Sequence, residues 1–162
     1  MAGRHEMDAV DARILRALQR DSSPPVAELA AAVGLSPSAC HRRVKLLEQA
    51  GIITGYAARL DRRALGLALE VFAEVSLDAP TRPAMQAFEA AVARFDEILE
   101  CHRIIGGPDY LLRLVARDID DLERIHGDCL GQLPGVARIR TLLTLSTVGA
   151  WQGYPVREPA GE

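Results

Sequence analysis

Residues 26–51, VAELAAAVGLSPSACHRRVKLLEQAG, carry two short helical patterns separated by a glycine, and the second opens on a basic face. Leu29, Ala30 and Val33 put small or apolar side chains on one helical stripe, and Gly34 can take positive φ where the first helix must stop. Leu35 then tucks inward. Ser36 offers a hydroxyl to the free N–H groups of a new first turn, and Pro37 suits the first helical position because it gives up no hydrogen bond there. Cys40, Val44 and Leu47 recur at i, i+4 and i+7, which assigns them to the buried side of the second helix. Ser38, Ala39, His41, Arg42 and Lys45 are left facing out. Small residues at the front allow close approach to a groove floor, while the cations behind them reach phosphates or the acceptors of guanine. This is the pattern of a helix-turn-helix with its recognition helix. Its candidate DNA contacts are Ser36, Pro37, Ser38, His41, Arg42, Arg43 and Lys45, with Arg42, Arg43 and Lys45 expected to project together into solvent.

A helical hairpin with a glycine turn and a merely solvated basic face has the same local spacing, so the charge distribution helps to decide. Residues 1–60 hold eight Lys and Arg against six Asp and Glu, whereas residues 61–162 hold eleven against sixteen. The basic share therefore sits in the reader, and a net charge of −3 does not argue against nucleic acid if the two parts are separate domains.

A chain of 162 residues with 49% hydrophobic content suits one large or two small folded domains. No stretch approaches bilayer length, and the first residues lack a charged start followed by an apolar run, so a cytoplasmic location is expected. Cys40, Cys101 and Cys129 are far apart with no C-x-x-C pair and read as buried thiols. His5, His41, His102 and His126 form no H-x-x-x-H pattern, so neither a zinc site nor another cofactor is expected.

Outward from the reader, residues 1–7 read as a loose tail, and Val10, Ile14, Leu15 and Leu18 mark an amphipathic helix from about Asp8 to Arg20 that Asp-Ser-Ser-Pro-Pro ends. Pro25 stands where a capping side chain is expected for the next helix, which leaves that boundary open. IITGYAARL (52–60) has the β-branched alternation of a short strand, the wing of a winged helix-turn-helix, and DRRALGL (61–67) reads as a connector. LEVFAEVSL (69–77) then alternates as a strand with one buried face. A helix follows with Pro83 in its first turn and Met85, Phe88, Val92 and Phe95 as its core stripe. EILECHRII (97–105) and YLLRLVA (110–116) are strands joined by Gly106-Gly107-Pro108-Asp109 as a hairpin turn. Asp118, Asp120 and Asp121 favour a helix start over a calcium loop, Leu133-Pro134-Gly135 ends that helix, and VARIRTLLTLSTV (136–148) reads as one long final strand.

The fold class is therefore α+β. A winged helix-turn-helix (1–60) and a linker (61–68) precede a ferredoxin-like βαββαβ domain (69–150) and a tail (151–162) holding Trp151 and Tyr154. One sheet face has no helices, and Phe72 with Leu142 or Leu143 argues that a second subunit covers it.

VDARILRALQRD, VGLSPSACHRRVKLLEQAGIITGY, ECHRIIGGPDYLLRL and LPGVARIRT stand in the order and spacing of one family. On these stretches the chain resembles the Lrp/AsnC (leucine-responsive, feast/famine) transcriptional regulators across nearly its whole length. The resemblance implies a dimer of face-to-face sheets, further assembly to tetramers or octamers, a pseudo-palindromic promoter site on double-stranded DNA, and an amino-acid effector held between dimers. It also implies an effector pocket at Gly106, Gly107, Asp109 and Tyr110 with Leu142, Leu143 and Thr144. Glycine N–H groups there suit a carboxylate and Asp109 an ammonium, although the same residues suit a plain tight turn. Thr144, Ser146 and Thr147 are more polar than the aliphatic versions of this strand and leave the effector's identity open.

Two rival functions share the pattern: a sequence-tolerant architectural DNA binder without effector, and a siroheme-decarboxylase-like enzyme on the same two-domain plan. No paired acid and base stands at a spacing that one helix or strand brings together, so an enzyme is not expected.

Overall fold

The computed structural model describes residues 6–149 and 151–158; His5, the start of the expected loose tail and the last four residues lie outside them. The chain divides into two compact units, one of residues 1–58 and 149–162, the other of residues 59–148.

The first unit holds helices α1 (Ala9–Arg20), α2 (Val26–Val33) and α3 (Pro37–Gln49). Asp8 starts α1: its carboxylate accepts from the Asp11 N–H at 2.8 Å, and Asp11 reciprocates at 3.3 Å, closing a capping box. At α2 the capping side chain is missing, and the Pro25 carbonyl accepts from the N–H groups of Glu28 and Leu29. Backbone geometry alone sets that start. Gly34 (φ 73°) ends α2, and the Leu35 N–H turns back to the Ala30 carbonyl at 2.9 Å. Ser36 caps α3 through Ala39, with Pro37 in the first turn. Ile14, Leu15, Leu29, Ala30, Val33, Cys40, Val44 and Leu47 make the core between the three helices. Burying Ile14 or Leu47 contributes about 1.5–3 kcal/mol each.

Residues 52–60 correct the expected wing, because no strand forms there. The N–H groups of Ile52 and Ile53 both return to the Leu47 carbonyl and finish α3, and no described strand pairs with the segment that follows. Alternation without a partner to satisfy its backbone does not make a ladder. Residues 151–158 group with this unit, and Val156 packs against its core.

The second unit is β1 (Leu69–Leu77), α4 (Arg82–Val92), β2 (Ile98–Arg103), β3 (Tyr110–Ala116), α5 (Ile119–Arg124) and β4 (Val136–Leu143). The sheet is antiparallel in the order β2-β3-β1-β4, the ferredoxin-like arrangement. After α5 the helix widens into a π turn (Ile125–Cys129) and tightens into a 3-10 turn (Leu130–Gln132). Asp118 caps α5 and Asp121 takes the Arg117 N–H, so the acidic cluster serves a helix start. Val71, Ala73, Val75, Phe88, Tyr110, Leu112 and Leu114 head the core between sheet and helices.

Two more expectations are corrected here. The last strand stops at Leu143, not residue 148: Leu143 pairs with Val71, the Thr144 N–H reaches the Glu70 carbonyl, and β1 then runs out. Cys101 is exposed, because β2 is an edge strand that the helices do not cover, whereas Cys40 and Cys129 are buried. On the helix-free face, Phe72 lies opposite Leu142, while Leu143 pairs with Val71 and points to the other face. Around Phe72 runs a chain of charges in which Arg113 joins Glu70 (2.7 Å) to Glu100 (2.6 Å), and Glu100 meets His102 (3.1 Å). Among the described residues no helix is long and apolar enough to cross a membrane.

Candidate nucleic-acid interface and ligand site

The outer face of α3 is built by exclusion. Once Cys40, Val44 and Leu47 face the core, Ser38, His41, Arg42, Lys45 and Gln49 fall on the opposite side, and all five are exposed. Ser36 and Pro37 are exposed at the front, although the Ser36 hydroxyl is engaged in the cap and lies 3.3 Å from that of Ser38. His41 and Arg42 form no ion pair with any described residue.

Arg43 corrects the expectation of three cations projecting together. Its Nη1 donates to Asp8 Oδ2 at 2.7 Å and to Asp11 Oδ1 at 2.8 Å, and its side chain is only 26% exposed. These two acids are the capping box of α1, so the guanidinium rivets the reader helix to the first helix. The pairing raises the Arg43 pKa, the Asp11 hydrogen bond first, and the Asp8 carboxyl is lowered despite partial burial by the Asp11 N–H and Arg43. Position 43 is three residues from Cys40 and four from Leu47, which places it at the margin of the buried stripe.

Lys45 points outward but is partnered, its Nζ 2.7 Å from Glu48 Oε2. The Tyr56 hydroxyl donates to the other Glu48 oxygen at 3.0 Å. Lys45, then Tyr56, holds the Glu48 carboxyl below its usual range. Glu48 and Tyr56 were not among the sequence-derived candidates; the i, i+3 spacing of Lys45 and Glu48 was the available signal.

The seven candidate effector residues do not meet within one chain. Asp109 sits at the end of β1, where its N–H reaches the Val75 carbonyl (2.9 Å) and its Oδ2 accepts from the Leu77 N–H (2.8 Å). Leu142, Leu143 and Thr144 lie towards the opposite end of β1 and on the opposite edge of the sheet from the hairpin, roughly 13–20 Å from Asp109 along the strand direction. Gly106 (φ 144°) and Gly107 are exposed in a loop that the Ile104 N–H closes onto the Asp109 carbonyl. Tyr110 turns inward from the hairpin and contributes to the lining of the groove between α4 and β2. It faces the core at 1% exposure, 4.5 Å from the Phe88 ring, and its hydroxyl donates to Glu89 at 2.8 Å. Burial, then Glu89, pushes its pKa up to about 12.

Beside this loop, between α4 and β2, lies an open groove of about 810 Å³ that the sequence did not announce. Val92, Phe95 and Ile98 supply apolar wall, Glu89 a carboxylate and Arg103 a guanidinium.

With this geometry in place, comparison with known proteins is decisive. The AsnC-type helix-turn-helix domain matches residues 7–48 and the Lrp/AsnC ligand binding domain matches residues 70–150. The chain belongs to the Lrp/AsnC family of transcriptional regulators. It is 38% identical over 143 residues to the leucine-responsive regulatory protein of Salmonella typhimurium, covering 88% of this chain and 87% of that one. An uncharacterized HTH-type transcriptional regulator of Sinorhizobium fredii is 44% identical over 116 residues, covering 72% and 91%. Among solved structures, the transcriptional regulator–L-Met complex from Neisseria meningitidis superposes with a TM-score of 0.88 at 33% identity, over 93% of this chain and 97% of that one. This Lrp/AsnC regulator thus joins a helix-turn-helix reader to a ligand-binding domain.

Proposed function

We propose that this regulator reads a specific, pseudo-palindromic promoter site through the exposed face of α3, and that an amino acid modulates its activity or assembly. The observation that carries the first part is the partition of α3: a core stripe on one side and Ser38, His41, Arg42 and Lys45 on the other. His41 and Arg42 are assigned to base edges and Lys45 to phosphate, with Ser36, Pro37 and Ser38 allowing close approach. Arg43 acts from behind by holding α3 on α1.

An amino-acid effector is supported by the Neisseria relative's L-methionine complex and by the leucine-responsive name of the Salmonella relative. The groove beside the hairpin fits such a zwitterion, because Arg103 suits its carboxylate, Glu89 its ammonium and the apolar wall its side chain. Leu142, Leu143 and Thr144 are distant within one chain, so their part in the pocket calls for a neighbouring copy. Dimerisation through the helix-free sheet face, with tetramers or octamers beyond it, is supported by Phe72 and Leu142 standing side by side there.

Action by binding and not by catalysis is supported by the regulator family and by two of the three histidines that an enzyme would call on: His102 is tied into the charge chain of the sheet face, and His41 lies on the face assigned to DNA. A cytoplasmic site of action goes with these partners.

The test is footprinting on a fragment upstream of the regulator's own coding sequence, with calorimetric titration of L-methionine and L-leucine into wild type and Arg103→Ala. A defined protected site and amino-acid binding that Arg103→Ala abolishes are expected. Uniform coating of the DNA points instead to an architectural binder.

A further inference from the structure

Residues 151–158 lie beyond both matched domains, yet they are built into the DNA-binding unit. The Gln19 side chain, near the end of α1, clamps the backbone of Tyr154 at two points. The Tyr154 N–H donates to Gln19 Oε1 at 2.6 Å, and Gln19 Nε2 donates to the Tyr154 carbonyl at 3.0 Å. Gly153 makes the approach possible: its φ is +96°, and a Cβ there would stand 2.5 Å from Gln19 Oε1. Val156 packs against the three-helix core two residues on, and Glu158 meets Arg16, one turn before Gln19, at 2.5 Å. Hydrogen bonding, apolar packing and charge therefore agree on one docked register along α1.

We propose that residues 151–158 form a strap whose docking on α1 keeps the reader in its DNA-binding form. The physical route runs from the strap to α1, and from α1 to α3 through the shared core and the Arg43 clamp on Asp8 and Asp11. A strap that leaves α1 withdraws Val156 from that core and frees Gln19 and Arg16, which loosens the helix that Arg43 grips. The proposal rests on α3 being the DNA reader and adds a segment that no part of the helix-turn-helix motif contains.

The chain's sole tryptophan, Trp151, lies on the strap, with its ring edge-on to Tyr154 at 4.9 Å, and reports docking directly. In the full-length protein, Trp151 fluorescence anisotropy and affinity for the upstream duplex are measured for wild type, Gln19→Ala, Gly153→Ala and the double variant. Each single change is expected to lower the anisotropy and to weaken DNA binding several-fold. The double variant is expected to lose little more than the worse single, since both break one contact. Gln19→Glu, which keeps the acceptor and loses the donor, is expected to fall between. Unchanged anisotropy in all variants overturns the docking, and wild-type DNA affinity in variants with lowered anisotropy overturns its role in binding. A wild type that binds no duplex overturns the reader assignment and the strap's role with it, and is recognised from the wild-type titration alone.

Discussion

At the residue scale, Arg43 shows how a basic residue on a recognition helix can serve architecture instead of contact. Asp11 is 1% exposed, so removing the guanidinium takes a charged hydrogen bond from a buried carboxylate. Arg43→Ala is therefore expected to destabilise the DNA-binding unit by about 2 kcal/mol, a magnitude lowered from that of a fully buried pair because Asp8 is half exposed. Urea unfolding followed by circular dichroism checks this, and Arg42→Ala, which touches no buried acid, should leave the midpoint unchanged. The helices themselves were legible because their punctuation is local: Gly34, Ser36 and Pro37 act within one turn of where they stand. Arg43 was not, because its partners lie 32 and 35 positions away, although its place beside Cys40 and Leu47 already set it at the edge of the core. Tyr110 carried a similar signal, since its alternation with Leu112 and Leu114 put it on the buried face.

At the scale of elements, the β2–β3 hairpin depends on Asp109 as a brace to β1. Asp109→Ala leaves the Leu77 N–H without its acceptor and should cost about 1 kcal/mol, whereas Asp109→Asn keeps a carbonyl oxygen there and should cost less. Thermal unfolding of the two variants separates a brace from a ligand contact, because a ligand contact would alter amino-acid binding with no change in melting. The α5 start supplies a pH dependence. The Arg117 side chain, then its N–H, holds the Asp121 carboxyl far below its usual range, and Arg124 lowers Glu97. Both groups bind a proton less readily folded than unfolded, so their stabilisation is complete above the unfolded carboxylate values near ~4 and drains away as pH falls below them. Melting temperatures between neutral and acid pH should therefore fall more steeply for wild type than for Asp121→Asn. Parallel curves would contradict this. Segments 52–60 and 144–148 form no strand for a reason no local pattern reveals: a ladder needs a neighbour, no described strand pairs with 52–60, and β1 runs out just beyond the Thr144–Glu70 bond.

At the scale of the molecule, the βαββαβ order dictated sheet topology, but no sequence rule placed the two groups of candidate effector residues towards opposite ends of β1. On the proposed reading, residues from both places line one pocket only where two copies of the chain meet. Phe72 and Leu142 sit within a charged surround on the helix-free face, so Phe72→Glu should give monomers in sedimentation velocity where wild type gives dimers or larger species. A variant that sediments like wild type would remove this face from the assembly.

The central claim, that His41, Arg42 and Lys45 on the free side of α3 meet the duplex, is tested most directly by the salt dependence of binding. Affinity for the upstream duplex is measured by fluorescence anisotropy across a range of salt concentrations for wild type, Arg42→Ala and Lys45→Ala. Lys45→Ala should reduce the slope of log K against log salt by about 1, and Arg42→Ala should weaken discrimination between this site and a scrambled duplex. Wild-type slope and discrimination in both variants would contradict the account.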